Sequence, residues 1–266
     1  MSGRSLGFGA MAELYDATRT FDRRCFAAAL DFLVERFPPS RFGHAFEPGI
    51  GTGRIAIPLA ERGYRVTGVD ISDGMLATLD RRLSGSALAS AIAYQHADVR
   101  RLPFADATFD LVVVVHLFYF VEEWKRAADE VLRVVRRDGP VILMHTGTGA
   151  EIPFLNEQYK ELCAQRGCTV ESTGVKSTRE VVDYYQSLGC HAEWIRDRWR
   201  WTARIRLDEA LGHLKARAYS FATIAPDSVH LWAVEQLEVE QRSRFGRLAV
   251  EVGVENQAYL ALVRRG

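Results

Sequence analysis

The chain has 266 residues, with Lys+Arg and Asp+Glu at 34 each, so no net charge favours nucleic acid or an anionic membrane. Hydrophobic residues at 48% and charged residues at 26% exclude disorder, and the length suits one large domain or a core with an insertion. The four cysteines (25, 163, 168 and 190) form no C-x-x-C pair, which argues against a zinc ribbon or disulfide framework and for a reducing compartment. The N-terminus lacks an apolar signal core. The longest apolar run, 111–121, is 11 residues with a histidine inside, too short to span a bilayer. The expectation is a soluble, cytoplasmic protein.

Phe26, Leu30, Leu33 and Phe37 form one stripe of a helix that Pro38–Pro39 stops. Residues 45–47 lead into a glycine loop, and 54–62 read as a helix closed by Gly63. A strand over 65–70, a helix over 73–83 and a strand over 91–98 follow. The run FDLVVVVH, 109–116, predicts a strand covered on both faces. Residues 122–137 are helical, with Trp124, Ala127, Ala128, Val131, Leu132 and Val135 on one face, and Asp138–Gly139 turns into a strand over 141–145. Strands alternating with helices predict an α/β fold: a Rossmann-like, doubly wound, mostly parallel sheet whose ligands sit beyond the strands' carboxyl ends.

The pattern then changes. Residues 154–166 and 178–188 look helical. From 195 to 206 the period is two: Arg196, Arg198, Arg200, Thr202, Arg204 and Arg206 share one face, while Ile195, Asp197, Trp199, Trp201, Ala203 and Ile205 share the other. Helical spacing returns over 207–221 and 229–237, and QAYLALVR, 257–264, reads as the last strand. The organisation predicted is a single structural domain in three parts. Residues 1–40 form an N-terminal helical cover and 41–150 a cofactor-binding core. Residues 151–266 complete a sheet of about seven strands, its C-terminal strand antiparallel, with a helical lid inserted at about 207–244.

The strongest local signal is FEPGIGTGR, 46–54: a strand, then Glu47-x-Gly49-x-Gly51-x-Gly53, then a helix. Glycines permit a sharp turn and close approach to a ligand, and the helix N-terminus offers free N–H groups. Asp70 ends the next strand, 21 residues after Gly49, where its carboxylate can accept from two ribose hydroxyls. Asp98 ends the third strand, where it can accept from an adenine amino group. Taken singly, Glu47 and Asp98 read equally well as strand-end polar residues and Met75 as core. The dinucleotide fingerprint G-x-G-x-x-G needs glycine at 54, where this chain has Arg54.

The pieces FEPGIGTGR, VTGVDIS, HADVRRLPFADATFDLVVVVH and VVRRDGPVILM, with Leu14-Tyr15-Asp16 near the N-terminus, resemble class I S-adenosylmethionine-dependent methyltransferases. The branch is that of ubiquinone/menaquinone-biosynthesis and other small-molecule enzymes. The resemblance is close over 41–146 and departs at 136–140, where Arg-Arg-Asp-Gly-Pro replaces the usual Pro-Gly-Gly. It implies S-adenosyl-L-methionine as cofactor, S-adenosyl-L-homocysteine as product, and no metal. Gly49, Gly51 and Gly53 would floor the methionine part, and Glu47 would order that loop and reach the ammonium through water. Asp70 would hold the ribose, Ile71 and Met75 would pack on the adenine, and Asp98 with the Val99 backbone would read its edge. His116 would contact the methionine moiety, and Tyr15 would cover the cofactor.

Methyl transfer is an in-line displacement that needs alignment, and a base only when the acceptor arrives protonated. His116 and His145, ending the fourth and fifth strands, are the candidate bases, with His145 slightly favoured; the alternative is that one shapes the pocket and the other packs. Phe118, Tyr119, Phe120 and Trp124 would wall an apolar or cationic acceptor, or else pack under a loop. The remaining histidines (44, 96, 191, 213 and 230) lack metal-ligand spacing. The partner expected is a small-molecule methyl acceptor, without nucleic acid or membrane insertion, bound to a monomer or homodimer. Three rivals stand beside this reading: an RNA or protein methyltransferase using the 196–206 arginine face, a cofactor-binding protein without turnover, and an NAD-dependent oxidoreductase, which Arg54 disfavours.

Overall fold

A computed structural model describes residues 21–266, apart from 148, 150 and 172. Helix α1 (Arg23–Arg36) starts where the Asp22 carboxylate accepts the Cys25 N–H at 2.8 Å, and it buries the predicted stripe of Phe26, Leu30 and Leu33. There follow β1 (His44–Pro48), α2 (Ala56–Glu61), β2 (Arg65–Asp70), α3 (Asp73–Leu83), β3 (Ile92–His96) and β4 (Leu111–Val115). Next come α4 (Trp124–Val134), β5 (Val141–His145), α5 (Pro153–Gln165), α6 (Thr178–Ser187) and β6 (Cys190–Arg206). Helices α7 (Leu207–Lys215) and α8 (Asp227–Phe245) and strand β7 (Glu251–Arg265) end the chain.

The described strands form one seven-stranded sheet in the order β3-β2-β1-β4-β5-β7-β6. Strands β1 to β5 are parallel, and β7 runs antiparallel to both its neighbours. The order reverses between β1 and β4, the switch point at which open α/β sheets hold ligands. Val113 belongs to the core under α1, α2 and α3, whereas Val112 and Val114 belong to the core under α4 and α6. Both faces of β4 are therefore covered, as its unbroken β-branched run requires.

The strands differ from expectation chiefly at the C-terminus. β6 begins at Cys190 instead of 195, and β7 at Glu251 instead of 257. The register slips between Ile195 and Trp199, and Asp197 has φ +62°, the mark of a bulge. The bulge carries Asp197 out of the apolar face, where it is exposed and paired with Arg200 at 3.2 Å. The last β5–β7 pair is His145 with Tyr259, but β6–β7 pairing continues to Arg206 with Glu251. The two strands thus rise as a ribbon past the carboxyl ends of the parallel strands.

A separate core sits at the ribbon's tip. Leu207, Leu211 and Leu214 of α7, Ala233 and Leu237 of α8, and Leu155 and Tyr159 of α5 bury together against Val254. The cap therefore includes α5, which lies outside the predicted 207–244 segment. No helix among the described residues is long and apolar enough to cross a membrane.

Candidate functional site

The glycine loop leaves β1 with Gly49, Gly51 and Gly53 all left-handed, at φ +71°, +55° and +80°. The Gly49 and Ile50 N–H groups both donate to the Val69 carbonyl, at 2.8 and 2.9 Å, which ties the loop to β2. A Cβ on Gly53 would lie 2.5 Å from Leu79 Cδ1, and one on Gly49 would lie 2.9 Å from Leu117 Cδ1. The left-handed dihedral favours glycine at these two positions, and a Cβ would also displace a leucine methyl at each.

Asp70 braces the loop from the end of β2. Its Oδ2 accepts the Gly51 N–H at 2.9 Å and its Oδ1 accepts the Ser72 N–H at 2.8 Å. Burial pushes the carboxyl up, and these amide bonds counter part of the rise. Glu47, 3% exposed, sits beneath the same loop, and its Oε2 has no hydrogen-bond partner. Burial pushes Glu47 well above the ordinary carboxylate range; Arg54 opposes that shift and Asp70 adds to it.

Glu47, the glycines and Asp70 therefore converge as the sequence predicts. Ile71 follows with half its surface exposed at 49%, an apolar branch beside Asp70, whereas Met75 is buried and its N–H donates to the capping Ser72 hydroxyl. Asp98 lies two residues past the end of β3 instead of on it. The Ala97 N–H donates to the Asp70 carbonyl at 3.1 Å, keeping the two carboxylates on adjacent chain segments. Arg100 grips the Asp98 carboxylate, with its Nη2 2.6 Å from Oδ2, and lowers its proton affinity. Val99 is buried. Tyr15 lies outside the described residues.

The ends of β4 and β5 bring the two histidines together, with ring centroids 4.8 Å apart. His116 has φ +52°, and its Nε2 is 3.1 Å from Thr146 Oγ1. The His145 ring stacks on Tyr259 at 4.6 Å, and its Nδ1 is buried without a partner. Burial pulls the His145 imidazole down to about 4, so it is neutral near pH 7. A chain of hydroxyls lies alongside: Tyr119 to Thr178 at 3.3 Å, then Thr178 to Tyr259 at 3.2 Å. His116, Tyr119 and Thr178 help line a cavity of about 20 Å³ with Leu117, Leu143 and Val181.

The expected aromatic wall is only partly realised. Phe118 is buried in the core under α4 and α6, and Trp124 packs edge-on against Tyr184 at 5.4 Å. Tyr119 remains, joined by Tyr259, Thr146 and Thr178, which sequence reasoning did not single out. Tyr259 reaches the site only because β7 lies beside β5, a pairing that no local pattern reveals. Gly147 marks another such place: a Cβ there would meet Trp201 at 2.8 Å and the buried Asn256 at 2.9 Å.

The arginine face is exposed, and its members are largely engaged. Arg200 pairs with Asp197, Arg204 with Glu251 and Arg206 with Asp208, while Arg196 lies 3.8 Å over the Trp194 ring. Other histidines take structural roles. His44 meets Thr67, and buried His230 lies between the Tyr159 hydroxyl at 2.7 Å and the Lys215 carbonyl at 3.2 Å.

Comparison with known proteins places this geometry. The family model described as "Methyltransferase domain" matches residues 46–143. A phosphatidylethanolamine N-methyltransferase from Cereibacter sphaeroides is 36% identical over 106 residues, 40% of this chain and 52% of that protein. At that similarity the chain spans about half the length of the curated relatives it matches. A demethylmenaquinone methyltransferase from Beutenbergia cavernae is 28% identical over 241 residues, 89% of this chain and 92% of that one. Among solved structures, the YcgJ protein from Bacillus subtilis superposes with a TM-score of 0.60 at 17% identity, over 90% of this chain and 99% of that one; this likeness is one of fold. The segment 46–143 therefore resembles a methyltransferase domain, and the relatives that share it are methyltransferases of several kinds.

Proposed function

We propose that this protein transfers the methyl group of S-adenosylmethionine to a small-molecule acceptor. The observation that carries the reading is the joint geometry of Glu47, the left-handed glycine loop and Asp70 at the switch point of the sheet. The chemistry of these residues fits the cofactor. The loop exposes backbone where a bulky side chain would intrude, Asp70 offers a braced carboxylate to the ribose hydroxyls, and Glu47 offers an orphaned buried oxygen to a cation. Ile71, left half exposed, supplies an apolar surface for the adenine, with Met75 behind it and Asp98 and Val99 at its edge. When bound, the cofactor supplies an electrophilic methyl group; the chain aligns the acceptor and excludes water.

The acceptor side lies before β4 and β5, under the cap carried by α5, α7 and α8. A balanced charge supports a small molecule over a polynucleotide. The pairing of the arginine face with Asp197, Asp208 and Glu251 further weakens the polynucleotide reading. Where an acceptor needs deprotonation, His116 is the better-placed base, because burial leaves His145 a weak proton acceptor, stacked on Tyr259 with Nδ1 sealed from water. Four free thiols support a reducing, cytoplasmic setting.

The test is calorimetry with S-adenosylhomocysteine and NAD, followed by methyl transfer from labelled cofactor to a panel of quinols, amines and carboxylic acids. Binding of NAD, and none of the homocysteine nucleoside, would overturn the assignment. Tight nucleoside binding with no transfer to any acceptor would favour a binding protein without turnover.

A further inference from the structure

Glu47 is a buried carboxyl group with an unpartnered side-chain oxygen. It is 3% exposed, it stands next to last in β1 just before the glycine loop, and its Oε2 lacks any hydrogen-bond partner. An ionised carboxylate left so poorly solvated is costly, while a protonated carboxyl tolerates the same place. The charged groups acting on it are Arg54, from the turn before α2, and Asp70, from the end of β2. The Ala56 N–H at the start of α2 also favours the anion, and on the β2 side Glu47 is paired with Gly68, which brings no charge.

We propose that Glu47 carries a proton which it surrenders to solvent when the cofactor's ammonium group settles beside it. Cofactor binding would then be coupled to proton release. This rests on the cofactor reading above and deepens it. The step balances: the Glu47 O–H bond breaks, the proton leaves to water or buffer, and the carboxylate remains as counter-charge to an ammonium that arrives already protonated. Burial raises the Glu47 carboxyl in the free protein, and a fixed cation lowers it. The sign follows: binding tightens as pH rises, by up to tenfold per unit, and levels off once the free protein's Glu47 is ionised.

Two measurements test the coupling. In the first, S-adenosylhomocysteine is titrated calorimetrically below pH 7 in buffers of different ionisation enthalpy. Wild-type protein should release a substantial fraction of one proton, and Glu47→Gln, which keeps shape without the proton, should release almost none. Binding without proton release, or equal release in both proteins, would overturn the proposal. In the second, carboxyl-carbon NMR of ligand-free protein, assigned by comparison with Glu47→Gln, should show one carboxyl titrating well above the ordinary range. A Glu47 titrating at its ordinary value would refute the proton store with no ligand involved. Failure to bind the nucleoside at all would refute the cofactor reading instead, and the NMR result would still judge Glu47.

Discussion

Replacing Gly53 with alanine isolates what the loop demands of its backbone. Two costs add at this position. A left-handed alanine costs about 1–2 kcal/mol. The new Cβ would also lie 2.5 Å from Leu79 Cδ1 and 3.3 Å from Ile57 Cδ1, so the methyl end of the buried Leu79 side chain must shift. Overpacking of this kind costs about 1–3 kcal/mol, so the total loss is roughly 2–5 kcal/mol. Gly85 supplies the control, since it too is left-handed at φ +73°, but no atom lies within 4 Å of its would-be Cβ. Gly85→Ala should lose the dihedral cost alone, about 1–2 kcal/mol. Urea unfolding of the two variants measures the difference directly. If Gly53→Ala were no less stable than Gly85→Ala, the loop would not be clamped against α3.

Asp70→Ala should weaken S-adenosylhomocysteine binding by about 1.5–3 kcal/mol, the scale of hydrogen bonds to a charged group; an unchanged affinity by calorimetry would remove Asp70 from the site. His145, pulled to about 4 from 6.5, makes the protein less stable as pH falls, because the unfolded chain takes up its proton first. Its share between pH 7.5 and pH 5 is about 2 kcal/mol, so the urea midpoint of His145→Phe should depend less on pH than that of wild type, and identical pH dependence would refute the buried neutral imidazole. With a hydroxyl acceptor in hand, His116→Ala should lower turnover roughly 10²–10⁴-fold while His145→Phe stays near wild type. The reverse ranking would restore His145 as the base. Backbone amides of α5, α7 and α8 should gain protection from hydrogen exchange together when cofactor and acceptor are both bound, and gain confined to α7 and α8 would mean that α5 is not part of the moving cap.

The halves of the sheet differ in how far they could be read. In the N-terminal half, hydrophobic period and glycine punctuation located β1 to β5 and put Glu47, Asp70, His116 and His145 near strand ends, with Asp98 just past one. Those patterns are local. The environment of His145 is not: its stacking on Tyr259 depends on β7 returning from the far end of the chain to lie beside β5. The bulge at Asp197 was visible only as one wrong residue in an alternating face, because a bulge changes pairing without changing composition. Phe118 and Trp124 show the same limit from the other side, since an aromatic after a strand can face a ligand or the core and spacing alone does not choose.

The ribbon of β6 and β7 joins two separately packed regions. Below His145 and Tyr259 the strands share the sheet's hydrogen bonds and its two cores. Above that pair, α5, α7 and α8 pack around a core of their own. Packing changes at the tip are therefore borne by that core, while the ladder beneath is held by its own hydrogen bonds. The family model's match ends within β5, at residue 143, so the likeness it records covers the parallel part of the sheet and none of the separately packed tip.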